Sequence, residues 1–277
     1  IWSHASGIGH KNLYLAGKKV SGYGCSSELK GNSGVNRVNI GTFTHEFAHV
    51  IGLPDYYDTD GGDNGNGHTP GGWSLMASGC YNHDSSRPPL LSAVDRQHLG
   101  WATIPNMPNG SIRLNKIQDC QGTGGYRVNT DMNDEYFVFE HREQTGFDYS
   151  LPSSGMLIWH VDRSTGRYIR YYTQNQWWDS YFTARILWDN WNGPNNVQSH
   201  PCIDLVEAYG PHNNSGDTGF WNTAMWGVGG NAIQPRAWSG ALTGANVTDI
   251  ANHGTYSTFN CNGSSGGTTN PEPTCST

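Results

Sequence analysis

Residues 44–58 read THEFAHVIGLPDYYD and bring His45, Glu46, His49, Asp55 and Asp58 together beside an apolar run. Phe43, Phe47, Val50 and Ile51 recur at three- and four-residue steps, which predicts a helix over 42–51. Gly52 stops that helix and Pro54 confirms the stop. His45 and His49 are four apart, so both rings project from one helix face and can meet one ion. Neutral imidazole suits zinc. Glu46 sits to the side of the pair, where a carboxylate reaches a metal-bound water without being a ligand, the position a general base needs. A positive φ at Gly52 would turn the chain back and let Asp55 supply a third, oxygen ligand, leaving a fourth position for water. The bland alternative is a buried helix whose histidines are satisfied by hydrogen bonds. H-E-x-x-H arises by chance in about one chain of this composition in a hundred, and with Gly and Asp at these offsets in about one in ten thousand. The zinc reading is therefore the stronger.

The whole chain sets limits on that reading. With 37 glycines, 11 tryptophans, 14 tyrosines and only 14% charged residues, its 277 residues favour short strands and turns over long amphipathic helices. The net charge of −7, with no basic patch, argues against nucleic acid as a partner. No apolar run approaches the length of a membrane span. Cys25, Cys80, Cys120, Cys202, Cys261 and Cys275 are widely spaced with no C-x-x-C, which suits disulfides in an oxidising, extracellular compartment and leaves fifteen pairings open. Ile1 opens directly into IWSHAS without a signal peptide, so the chain reads as a piece of a longer precursor.

Along the chain, NLYLAG and KKVSGYGCSSE are strand candidates, and residues 58–72 can only be loop. PLLSAVDRQHLGW, residues 89–101, predicts a second helix. After Trp101 the texture changes to strand-like runs divided by Gly, Asn and Pro: SIRLNKI, YRVNT, EYFVFEHRE, GMLIWHVDR, CIDLVEAYG and YSTFN. These place a boundary near 102 and predict an antiparallel β-sandwich-like domain over 103–260, followed by a flexible Ser/Thr/Gly/Pro tail over 261–277.

HEFAHVIGLPDYYD, GGWSLM and HLGW resemble the immune inhibitor A family of secreted bacterial metallopeptidases, within the metzincins. The likeness continues through EYFVFEHREQTGFDYSLPSSGMLIWHVD and CIDLVEAYG. It implies an α/β zincin (metzincin-like) catalytic domain over 1–102, with zinc on His45, His49 and Asp55 and Glu46 as base and acid. It further implies endopeptidase action on protein or peptide substrates in a secreted, extracellular setting. Met76, in a turn-bounded apolar segment one loop after the motif, would be the methionine turn beneath the metal. Small metzincins of the snapalysin type share the motif and carry a tyrosine two residues after the aspartate. By that resemblance Tyr57 would hydrogen-bond the tetrahedral oxyanion. Metzincin domains place several strands and a helix before the zinc helix, whereas 44 residues precede His45 here, so either an N-terminal or pro-segment remains associated or lies outside this chain, or the upper half is unusually small.

Weaker signals remain. Asp58, Asp60 and Asp63 in DTDGGDNGNG are candidate calcium ligands, with a solvated turn cluster as the alternative, and the EF-hand spacing is not matched. SGYGCSSELK is a candidate edge strand on which an extended substrate could lie. His141 and His160 alternate with apolar residues and read as structural. Seven tryptophans between 177 and 238 could form a carbohydrate platform or, more simply, fill a core. The alternative function is a non-catalytic, zinc-stapled adhesion or carbohydrate-binding protein, and a further one is a zinc exopeptidase. Glu46 speaks against the first, since a structural site has no use for a base beside its ligands.

Overall fold

The helix that carries the two histidines, α1 (Ile40–Ile51), starts two residues ahead of the expected 42–51. The computed structural model describes residues 2–31, 34–119, 124–173, 179–208, 225–228 and 230–263. Gly52 ends α1 at φ 115°, and its N–H reaches the carbonyls of Ala48 and His49 at 3.1 and 3.0 Å, a left-handed cap that a Cβ would strain. Gly41 is required for a different reason. A Cβ there would lie 1.9 Å from the Cys80 carbonyl oxygen, so the first turn of α1 rests directly on the 3-10 turn Ser78–Tyr81. The apolar stripe that makes the helix legible is not its buried face. Phe43 and Phe47 are each 51% exposed and stack on one another, whereas His45, Glu46 and Ala48 turn inward.

Ahead of α1 the chain forms β1 (His4–Gly7), the hairpin strands β2 (Tyr14–Leu15) and β3 (Lys18–Lys19), and β4 (Gly22–Cys25). β1 and β4 pair antiparallel, Ser6 opposite Tyr23, and this ribbon lies against α1. The second predicted helix shrinks to α2 (Ala93–His98). Its start is fixed by a reciprocal cap: Ser92 Oγ accepts the Asp95 N–H at 3.1 Å and Asp95 Oδ2 accepts the Ser92 N–H at 2.8 Å.

Past residue 102, β5 (Gly110–Asn115), β6 (Tyr126–Asn129), β7 (Glu135–Arg142), β8 (Gly155–Asp162), β9 (Tyr168–Tyr172) and β10 (Asp179–Thr183) lead into α3 (Ala184–Asp189). β11 (Ile203–Leu205), β12 (Asn246–Asn252) and β13 (Tyr256–Asn262) follow. An antiparallel sheet runs β11-β8-β7-β6, with Phe139 opposite Ile158, and a second runs β12-β13-β5. Alternation along β7 and β8 sends Phe137, Phe139, Met156 and Ile158 into a core shared with Ile112, Val247 and Phe259 of the second sheet. Tyr136, Val138, Leu157, Trp159 and Val161 face the other way, into a core with Leu53, Tyr56, Met76 and Val94. Burial on both faces explains why these two strands read as almost unbroken apolar runs despite being antiparallel. It also makes one core span both sides of residue 102.

The cysteines depart from the sequence reading. Cys25, Cys80 and Cys202 are thiols, with Cys80 and Cys202 buried, and no disulfide joins described residues. Of the tail expected over 261–277, Cys261 and Asn262 belong to β13, and residues 264–277, Cys275 among them, lie outside the described residues, as does Cys120. Burial pushes the Cys80 thiol up to about 12, so it stays protonated and behaves as a small apolar group.

Candidate metal centre

His45 and His49 are each oriented by a backbone carbonyl. His45 Nδ1 donates to the Leu75 carbonyl and His49 Nδ1 to the Leu53 carbonyl, both at 2.8 Å. A carbonyl can only accept, so both protons are placed on Nδ1 and both Nε2 atoms are left as ligands. The two Nε2 atoms lie 3.2 Å from Asp55 Oδ1. That oxygen is buried and has no hydrogen bond. Three lone pairs pointing at one another repel unless a cation or protons sit between them. Four-coordinate zinc with bonds of ~2.0–2.1 Å separates its ligand atoms by about 3.3–3.4 Å, close to the spacing seen. Without a cation, protons take that role: burial opposes a charged Asp55, yet His45 and His49 hold its carboxyl well below the usual range. His49 is lowered by burial but raised overall by Asp55 and the Leu53 carbonyl. Among the described residues this is the one group of three or more His, Cys, Asp or Glu side chains that could hold a metal.

The surroundings explain how the ligands are held. The turn around Met76, itself fully buried, supplies the Leu75 carbonyl to His45, and the Met76 carbonyl accepts the Tyr56 N–H at 2.8 Å. The turn around Met76 thus braces His45 and the segment that carries Asp55. Tyr56 donates its hydroxyl to Asp95 Oδ1 at 2.7 Å, tying the residue after Asp55 to α2. His98 Nε2 donates to the Gly52 carbonyl at 3.1 Å and closes the bracket. The downstream run DNWNGPNN, residues 189–196, carries a role that the sequence reading missed. Asn192 pairs with Asp55, Asn195 Nδ2 reaches the carbonyls of Tyr56 and His68, and Asn196 Oδ1 accepts the Thr59 N–H. Four asparagines around a Gly-Pro pair were the available signal.

A cleft of about 650 Å³ opens over this group. His45, Glu46, His49 and Tyr57 line it together with residues 2–7, which include β1. β1 and β4 form a two-stranded ribbon in which both are edges; β1 lines the cleft along its length, while β4, the expected edge strand, reaches it at Gly22. Tyr57 stacks toward His45 with ring centres 6.5 Å apart, and burial, then the Asp55 charge, raises its phenol so that it remains a proton donor. A second, smaller pocket of about 350 Å³ shares His45 and Tyr57 and is otherwise lined by Thr69, Ala77, Ser78, Cys80 and Tyr81.

Residues 1–102 match the family model of the immune inhibitor A peptidase M6 catalytic domain. That stretch is similar to the catalytic domain of immune inhibitor A-type metallopeptidases. A metallopeptidase implies a bound metal, and the donor set of two imidazoles and a carboxylate suits it. No curated protein matches the chain. The asparagine run that holds the Asp55 segment lies outside the residues matched to this peptidase family.

The remaining site expectations fare differently. The calcium reading of Asp58, Asp60 and Asp63 finds no support, for the three do not form a metal-holding group. Asp58 instead accepts the N–H groups of Asp60 and Gly67, and Asp60 accepts from Asn64 and Tyr171. Burial and the neighbouring Asp58 raise Asp60 to about 6. His141 is fully buried between Ser257 and the Gly254 carbonyl, and His160 pairs with Glu135, both structural as expected. Trp188 and Trp226 are buried, Trp238 stacks on His160 and His200, and Trp191 is half-exposed beside Tyr171 and Phe182. Trp177, Trp178 and Trp221 lie outside the described residues.

Proposed function

We propose that the chain is a secreted zinc endopeptidase that hydrolyses internal peptide bonds of proteins or peptides. The observation that carries this reading is the convergence of His45 Nε2, His49 Nε2 and the orphaned Asp55 Oδ1 at the floor of an open cleft, with Glu46 beside them. When bound, zinc supplies Lewis acidity toward a carbonyl and acidifies a water. Glu46 takes the proton of the attacking water on its carboxylate and passes it to the leaving amine. Tyr57 donates its phenolic proton in a hydrogen bond to the oxyanion that forms. β1 offers backbone groups along the cleft to an extended peptide, which the open, groove-like shape accommodates.

The same proposal takes the fold as an α/β zincin-like unit over 1–102 against a β-sandwich-like unit to about 260, supported by two sheets that share an apolar core. The extracellular setting rests on resemblance to a family of secreted peptidases. An associated upstream or pro-segment is supported by the outward stripe of Ile40, Phe43, Phe47 and Val50 on α1, which is apolar yet exposed.

The test is mass spectrometry of products from a long peptide blocked at both ends. Internal cuts are expected. An intact blocked peptide, with trimming of the same peptide once its ends are free, would replace the endopeptidase reading with the exopeptidase one.

A further inference from the structure

Asn192 adopts φ 49°, in the left-handed region that asparagine tolerates better than most residues. Its carboxamide closes a two-bond ring with Asp55: the Asp55 N–H donates to Asn192 Oδ1 at 3.0 Å and Asn192 Nδ2 donates to Asp55 Oδ2 at 2.9 Å. Only Oδ1 can accept and only Nδ2 can donate, so the two bonds fix the amide's orientation. The second bond occupies one carboxylate oxygen and leaves the other facing the two imidazole nitrogens.

We propose that Asn192 is a positioning residue for the metal centre, holding Asp55 as a one-oxygen ligand with its carboxylate plane fixed. The inference rests on the reading of His45, His49 and Asp55 as zinc ligands. A carboxylate free to rotate can present either oxygen or both, and a donor bound to one oxygen removes that freedom. Asn192 also belongs to the chain beyond the residues matched to the peptidase family, so the metal centre is completed from outside that stretch.

Simple scaffolding by the same loop is separable from this role. Asn196 fastens the loop to Thr59 through its Oδ1, at 3.0 Å from the Thr59 nitrogen and 3.1 Å from its hydroxyl, and makes no bond to Asp55. An Asn196→Ala variant therefore loosens the loop and leaves the Asp55 ring intact. Asn192→Gly keeps the left-handed backbone and loses both bonds to Asp55. Asn192→Asp keeps size, backbone preference and the acceptor, and replaces the donor to Asp55 Oδ2 with a second carboxylate oxygen that repels it.

The experiment measures zinc affinity of the full chain by competition with a chromophoric chelator, alongside thermal unfolding of the metal-free protein. Both Asn192 variants are expected to lose about 10–100-fold in zinc affinity, with Asn196→Ala close to the parent. Parent-like affinity in both Asn192 variants would overturn the inference, and so would an equal loss in all three. If Asn192→Gly fails to fold, Asn192→Asp decides alone. A parent that binds no zinc, or a His45→Ala variant that binds it as tightly as the parent, would instead remove the zinc reading on which the inference rests.

Discussion

His45 Nε2 stands 3.2 Å from Asp55 Oδ1 with no hydrogen bond to that oxygen, and His49 Nε2 stands at the same distance. The carbonyls of Leu75 and Leu53 take the Nδ1 protons and so direct the opposite nitrogens at the acid. Removing the metal with a strong chelator is expected to abolish cleavage, and added zinc is expected to restore it. Circular dichroism should stay largely unchanged, because Tyr56 and Met76 belong to an extended core of buried apolar side chains. Full activity after verified metal removal would contradict this.

Tyr57→Phe tests the phenol. The ring still stacks toward His45, so binding and fold are retained while the hydroxyl is lost. A fall in kcat of about 10²–10³-fold with little change in KM is expected if the hydroxyl serves the oxyanion. An unchanged kcat would return Tyr57 to a packing role.

Arg142, Glu140 and Asp148 are fully buried, and together they tie β7 to the stretch that leads into α2. Arg142 Nη2 reaches the Leu90 carbonyl at 3.0 Å, Asp148 Oδ1 accepts the Leu90 N–H at 2.8 Å and Glu140 Oε2 accepts the Ala93 N–H at 2.7 Å. Arg142→Met leaves two buried carboxylates without a countercharge and is expected to cost about 3–5 kcal/mol of stability. Denaturant unfolding checks it. A change under about 1 kcal/mol would mean that the carboxylates find other partners.

Glu135 and Asp162 give the fold a dependence on acid. Both are fully buried, and burial alone would raise them. His160 and the Trp238 N–H pull Glu135 below its ordinary value, and His200 and the Ser164 N–H do the same for Asp162. A folded pKa below the unfolded one contributes stability that is present above the unfolded value, about 4 for these groups, and lost as pH falls through the folded value. Stability should therefore drop below about pH 4. The Glu135→Gln variant should be less stable than the parent at neutral pH, with the difference narrowing in acid. A gap that stays constant with pH would show that the charge contributes nothing.

The chemistry was more legible than the architecture. H-E-x-x-H with Gly52 and Asp55 is a local pattern, and one turn of helix plus one glycine cap is enough to bring its donors near each other. The runs EYFVFEHRE and GMLIWHVDR fall on β7 and β8 because apolar content and β-branching are read strand by strand. Asn192 could not be read, since 137 positions separate it from Asp55 and asparagine in a loop is ordinary turn chemistry. β1 was hidden because HASG has no apolar alternation and is held by pairing with β4. The cysteine spacing left the pairing open, as an even count says nothing about which thiols meet.

The central claim is tested most directly by incubating an unfolded protein substrate with the full chain and with its Glu46→Ala variant at matched zinc loading. Cleavage by the parent, with a loss of about 10²–10⁴-fold in the variant, is the expected result. Equal cleavage by both proteins, or none by a zinc-loaded parent, would contradict it.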